Sequence, residues 1–271
     1  MQEENRKKKK KGGLLWWIAM ILCTCMFIGG GTCFVLYFME ANEVAAVYAE
    51  IADIHDSILF SEDYIEQPVI EVIVGEAGQE RDYLEECKEL YEMNSDLVGW
   101  ISFPETIINY PVMQTEMGNR DFYLDHDFHK EYNRYGCIYA SEDCDVFKPT
   151  DNVTLYGHHM NNGSMFASLV KYESQGYWEE HQYFTFDTLY EHHTYQVVAA
   201  FKISADSDFR YHMFTDALNE ADFNDFVANI RDRQFYDTGI DIVYGDKLVC
   251  LSTCEYTLFD GRFVVVGKRI S

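Results

Sequence analysis

The stretch Lys247-Leu248-Val249-Cys250-Leu251-Ser252-Thr253-Cys254-Glu255, answered by Gly261-Arg262-Phe263-Val264-Val265-Val266-Gly267-Lys268, decides how this chain is read. Two apolar runs rich in Val and Leu, with a short link between them, predict strands over Lys247–Ser252 and Arg262–Lys268 joined as a hairpin. Cys254 stands just beyond the first run, fixed by the strand behind it and left open by polar neighbours. Arg262 begins the second run, and a hairpin brings it beside Cys254. The attacking form of cysteine is the thiolate, so a nearby cation is what a reactive thiol needs.

Working back from the hairpin, the pattern stays β-like to Leu97. Short runs rich in Val, Ile, Tyr and Phe predict strands at Leu97–Phe103, Ile107–Val112, Gly136–Ala140, Asn152–Tyr156, Tyr183–Phe186 and Thr194–Lys202. With the hairpin this makes a mainly β domain, a closed or nearly closed barrel of about eight strands. One long helix interrupts the series. Asp216 to Arg233 carries Phe223, Phe226, Val227 and Ile230 on one stripe, with Asp216 as the expected N-cap. Upstream, a helix is expected over Glu80–Met93 and another from Glu40 to about Phe60, with a linker at Ser61–Gly78. His158 follows Tyr156-Gly157, where a turn glycine would let the imidazole project into a cleft.

The N-terminus has its own character. Arg6 to Lys11 are all basic, and no further charge appears until Glu40. A helix needs about 20 apolar residues to span a bilayer, and the uncharged Leu14–Phe38 run exceeds that. A cleaved signal peptide has a shorter apolar region of about 7–15 residues. Length therefore favours a single transmembrane anchor, with the small residues at Ala45 and Ala46 leaving cleavage open. The lysines should stay cytoplasmic and place the residues after Met39 outside, with Trp16 and Trp17 at the interface. The expected divisions are a basic head at 1–11, the span at 12–39, a stalk helix and linker at 40–79, and a catalytic domain at 80–271.

The formal charge is −25, and the part beyond the head is more acidic still. Such a surface repels nucleic acid, so no nucleic-acid partner is expected. Five cysteines lie outside the apolar span: Cys87, Cys137, Cys144, Cys250 and Cys254. An odd number in an exported domain leaves at least one thiol unpaired. No Cys/His spacing suggests zinc and no acidic loop offers enough ordered oxygens for calcium, so neither metal nor cofactor is expected.

Taken singly, a strand-end cysteine, a histidine after a turn and an arginine opening a strand are ordinary structural residues. Their order and context resemble a family. Tyr156-Gly157-His158-His159-Met160, with Gly163-Ser164-Met165-Phe166 behind it, resembles the histidine motif of class B sortases, where Asn commonly follows the histidine. Leu251-Ser252-Thr253-Cys254 resembles the cysteine motif, and Gly261-Arg262-Phe263-Val264-Val265-Val266 the arginine strand. Asn94 to Ile101, Tyr110 to Gln114 and Asp121 to Leu124 extend the resemblance, which spans about Glu80 to Ser271. The helix before the cysteine strand is similar to the one separating class B from class A.

The resemblance implies a membrane-anchored cysteine transpeptidase acting outside a Gram-positive type membrane. Cys254 would be the nucleophile, His158 the proton donor and Arg262 the anion stabiliser, helped by a backbone N–H near Glu255. Tyr156, Ser252 and Glu255 would help bind substrate, Tyr156 being equally readable as a core aromatic. The substrates implied are secreted proteins with a C-terminal sorting signal, cut after Thr and joined to an amine of a cell-wall precursor or of a pilin. Whether the signal is NPQTN-like or LPxTG-like stays open. A papain-like peptidase would place its cysteine before its histidine, an L,D-transpeptidase would place the two close together, and an adhesion domain would need no reactive thiol.

Overall fold

The computed structural model describes residues 2–59, 83–116 and 118–271, with side chains from residue 15 onward. The chain divides into two units, one ending at Tyr48 and one covering Ala49–Ser271. Helix α1 (Gln2–Leu59) makes up the described part of the first unit. Its side chains from Leu15 to Leu36 are all exposed, Phe27 to 84%. Among the described residues it is the one helix long and apolar enough to cross a membrane, with a mean hydropathy of 2.1 in its most apolar window. The separate helix expected after Glu40 is the continuation of α1. The expected linker lies outside the described residues.

In the second unit all eight expected strands are present: β1 (Leu97–Ser102), β2 (Asn109–Met113), β3 (Ile138–Ala140), β4 (Asn152–Tyr156), β5 (Tyr183–Thr188), β6 (Thr194–Ser204), β7 (Leu248–Glu255) and β8 (Gly261–Arg269). They close into a barrel in the order β1-β2-β3-β4-β7-β8-β6-β5, with β1 pairing β5 to shut the seam. The β2–β3 and β4–β7 pairs are parallel and the others antiparallel. Strand β7 runs past the expected end at Ser252, because pairing with β8 carries Thr253, Cys254 and Glu255 into the ladder. The nucleophile candidate is therefore held by the sheet itself.

Helix α2 (Glu85–Met93) begins later than the expected Glu80, and residues 80–82 lie outside the described set. A short helix, α3 (Gln175–Glu180), precedes β5. The long excursion between β6 and β7 carries α4 (Glu220–Arg231), shorter than the expected Asp216–Arg233. Asn219 caps it, its side chain accepting from the N–H groups of Ala221 and Asp222. Asp216 lies too far ahead of this start to cap it, and its carboxylate accepts the N–H of Asp151 instead (3.1 Å). Phe223, Phe226 and Ile230 pack with Phe201, Cys250, Val264 and Val266, so α4 covers one face of β6, β7 and β8.

Candidate active site

The site is set by register. On one side of β7, Tyr156 lies opposite Ser252 in the parallel β4–β7 pair. The Gly157 N–H donates to the Ser252 carbonyl (3.1 Å), carrying that ladder one residue further. The β4–β7 pairing ends there, and His158 lies two positions beyond its last paired residue, as Cys254 lies two beyond Ser252. On the other side Cys254 lies directly opposite Arg262. Side chains alternate along a strand and directly paired residues share a face. Cys254 and Arg262 therefore share one face of the β7–β8 pair, and His158 follows the end of the neighbouring β4. Their face is the one that α4 covers further along, since Cys250 and Val264 belong to that layer.

Gly157 is needed here for closeness. A Cβ would fall 2.5 Å from the Ile138 side chain and 2.7 Å from the Phe166 ring. Its φ lies outside the left-handed region, so the expected turn role is replaced by tight packing under the histidine. The His158 ring is oriented by the Leu124 carbonyl, 2.6 Å from Nε2. A carbonyl can only accept, so Nε2 carries the proton and Nδ1 is left for exchange. The His158 carbonyl in turn accepts the Phe166 N–H (2.9 Å).

Cys254 is half-buried, while the other four cysteines of the second unit are buried thiols. Burial pushes Cys87 up to about 12, and also raises Cys144 and Cys250. Those three are held as inert thiols. Cys137 and Cys144 are not bridged. Partial burial works against the Arg262 cation, but its hydrogen bond to Asp260 and the fields of Cys254 and Asp260 outweigh that and hold it charged. Asp260 Oδ1 accepts from Arg262 Nη1 (2.9 Å), as does the Gly261 carbonyl (3.0 Å).

Of the other expected residues, Tyr156 is half-buried and packs on Tyr139 at 5.3 Å. Ser252 is 2% exposed and its hydroxyl is joined to Tyr211 Oη at 2.7 Å. Glu255 is the residue the structure does not bring to the Cys254 face. One position on, it projects to the opposite side, where its carboxylate accepts the N–H groups of Thr257 and Leu258 and lies 3.5 Å from Lys202. It closes the β7–β8 turn.

Sequence reading missed Tyr139, Tyr211, Tyr256 and Asp260. Burial raises Tyr139, with Cys254 and Arg262 among its electrostatic neighbours, and Tyr211 is likewise pushed up to about 12 beside both. Tyr256, largely exposed, also feels Cys254. Only Asp260 carried a signal, as a carboxylate two positions before the arginine. Aromatics in a chain with 20 tyrosines carry none.

A sortase domain family model matches residues 101–270. Sortase B of Staphylococcus aureus is 33% identical over 185 residues, covering 68% of this chain and 74% of the relative. Sortase B of Listeria monocytogenes is 29% identical over 201 residues, covering 72% and 76%. Among solved structures, a Staphylococcus aureus sortase B–substrate complex superposes with a TM-score of 0.72 at 27% identity, over 86% of this chain and 99% of that one. Sortase B from Bacillus anthracis in complex with AAEK1 gives 0.70 at 28% identity, over 86% and 99%.

Proposed function

The chain belongs to the sortase family, with class B enzymes as its relatives, and on that premise we propose that Cys254, His158 and Arg262 perform its transpeptidation. Sortases are cysteine transpeptidases that cut proteins at a sorting motif and pass the acyl group to an amine. The observation that supports the assignment is the pairing of Cys254 with Arg262 across β7 and β8, with His158 just past the end of β4, whose last pair joins Tyr156 to Ser252.

Cys254 thiolate attacks the carbonyl carbon of the sorting-motif threonine and forms a C–S bond. The oxygen that takes up the electron pair lies against the Arg262 guanidinium, which Asp260 holds by a hydrogen bond. His158, as imidazolium, gives its Nδ1 proton to the departing amine as the C–N bond breaks, leaving a thioester. Leu124 keeps hold of Nε2 during the transfer. The acceptor amine then attacks the thioester, His158 takes its proton, and the Cys254 thiolate leaves. Partly burying the guanidinium strengthens its attraction for the oxyanion.

A cell-wall precursor supplies the acceptor amine in this reading, and α1 anchors the chain with its lysines on the cytoplasmic side. The catalytic domain then faces the secreted proteins it cuts. The test is a peptide-library cleavage assay with hydroxylamine as acceptor. Cys254→Ala and His158→Ala should abolish acyl transfer, and Arg262→Ala should lower kcat by about 10²–10³. Near-wild-type turnover in any of the three sinks the role given to that residue.

A further inference from the structure

We infer that His159 is a positioning residue for the nucleophile: its imidazole replaces the strand partner that β4 stops supplying, and with Tyr256 it clasps the His158 turn to the end of β7. The inference rests on Cys254 as nucleophile, but concerns a residue that the family resemblance left unassigned.

Strand β7 creates the need for such a group. Backbone groups two residues apart on a strand point the same way, so the carbonyls of Ser252 and Cys254 both face β4. Ser252 is satisfied by the Gly157 N–H (3.1 Å). Strand β4 ends at Tyr156, and among the described residues no further ladder bond from it reaches the carbonyl of Cys254. His159 Nδ1 lies 3.0 Å from that oxygen. The carbonyl can only accept, so Nδ1 donates, and it keeps this hydrogen in both the neutral and the cationic ring. A side chain thus finishes the ladder where the backbone has turned away.

The link is doubled from the opposite direction. The hydroxyl of Tyr256, in the β7–β8 connection, donates to the His159 carbonyl (3.2 Å), and the two rings lie 5.2 Å apart. His159 is also bridged to Met165, which closes the turn behind His158. Since His159 is bonded to His158 and holds the carbonyl of Cys254 itself, this clasp fixes the imidazole of one relative to the sulfur of the other. Displacing reacting groups by about 1 Å can cost 10²-fold in rate, so such a link reads out in kcat. An asparagine side chain carries its donor nitrogen at the same δ position as Nδ1, and a glutamine carries it one bond further out.

The experiment uses the full chain in detergent micelles. The probe is the fastest-cut member of NPQTN and LPxTG peptide sets, with hydroxylamine as acceptor. His159→Ala should lower kcat about tenfold and change KM less than about twofold. His159→Asn should recover to within about threefold of wild type, while His159→Gln should stay near the alanine variant. Tyr256→Phe removes one exposed hydroxyl, cannot unfold the barrel, and should lower kcat about threefold. Cys254→Ala run alongside separates the two readings: if it still turns over, the nucleophile assignment fails. With Cys254→Ala inactive, a wild-type kcat in His159→Ala, or an asparagine variant no better than alanine at equal Tm, overturns the clasp. Should His159→Ala not fold, an unchanged kcat in Tyr256→Phe overturns it.

Discussion

At the scale of single residues the site tolerates little, and Gly157 shows why. A methyl group there would meet Ile138 and Phe166 at 2.5–2.7 Å. Both neighbours are buried, so the backbone carrying His158 would have to give way. Gly157→Ala should cost about 1–3 kcal/mol of stability, read as a lower urea midpoint, together with a larger fall in kcat than in peptide affinity. An unchanged midpoint would mean that the space is wider than these contacts imply. Arg262→Lys keeps the charge but loses the fork by which one arm rests on Asp260 while the guanidinium stays within the field of Cys254. A lysine head cannot do both, so kcat/KM should drop about tenfold or more in the same assay. A lysine variant equal to wild type would reduce Arg262 to a point charge.

Between elements, the barrel is tied to its N-terminal helices by a polar cluster that sequence did not reveal. His192, in the β5–β6 turn, sets Nδ1 3.0 Å from Asp187 Oδ2 and Nε2 3.4 Å from Glu86 Oε1, the latter an ion-pair contact longer than a good hydrogen bond. Glu86, on α2, is 1% exposed, and its carboxylate oxygens make no hydrogen bond among the described residues. From α1, His55 and Asp56 face the same cluster, and burial lowers His55. The hydrogen bond to Asp187 raises His192, opposed by its own partial burial. A raised histidine stabilises the fold fully below its unfolded value near 6.5 and loses that effect as pH climbs through the folded value. His192→Gln should therefore lower Tm more at pH 6 than at pH 8. The difference should be small, about 1–2 °C, because the ring is nearly half exposed. An equal loss at both values would show that the imidazole acts without its charge. His55 titrates in the opposite sense, so only a comparison of variants isolates His192. Adjacent histidines in the sequence flag neither behaviour, since the partners come from α2 and β5.

For the molecule as a whole, the barrel was legible from alternation. All eight strands were placed, because each buries one face against the interior or the α4 layer. Closure was less legible: the parallel β4–β7 pair joins segments far apart in the chain, and nothing local marks it. That pairing sets the end of β4, just before His158, beside the stretch of β7 just before Cys254, so the proposed trio was readable through resemblance before it was readable through physics. The boundary of the folded unit was less legible still. Heptad-like apolar spacing in α1 does not say where packing on the barrel begins, whereas the structure assigns Ala49–Ser271 to one unit. Within it, Ile51 is 1% exposed, His55 stacks on Trp100 at 4.0 Å, and Asp56 accepts from Asn109 at 3.1 Å. Asn109 also accepts the Trp100 indole N–H (2.6 Å), so the last turns of α1 complete a β1–β2 network. A fragment starting at Ala49 should accordingly unfold at a higher temperature than one starting at Tyr83. Burying an isoleucine is worth about 1.5–3 kcal/mol, and the stack and hydrogen bonds add to it, so the gap should reach about 5 °C or more. Calorimetry on the two fragments, with Ile51→Ala and His55→Ala in the longer one, measures it. If the two fragments melt together, the end of α1 is a passenger on the barrel; if they differ and either point variant closes much of the gap, it belongs to the catalytic unit's core.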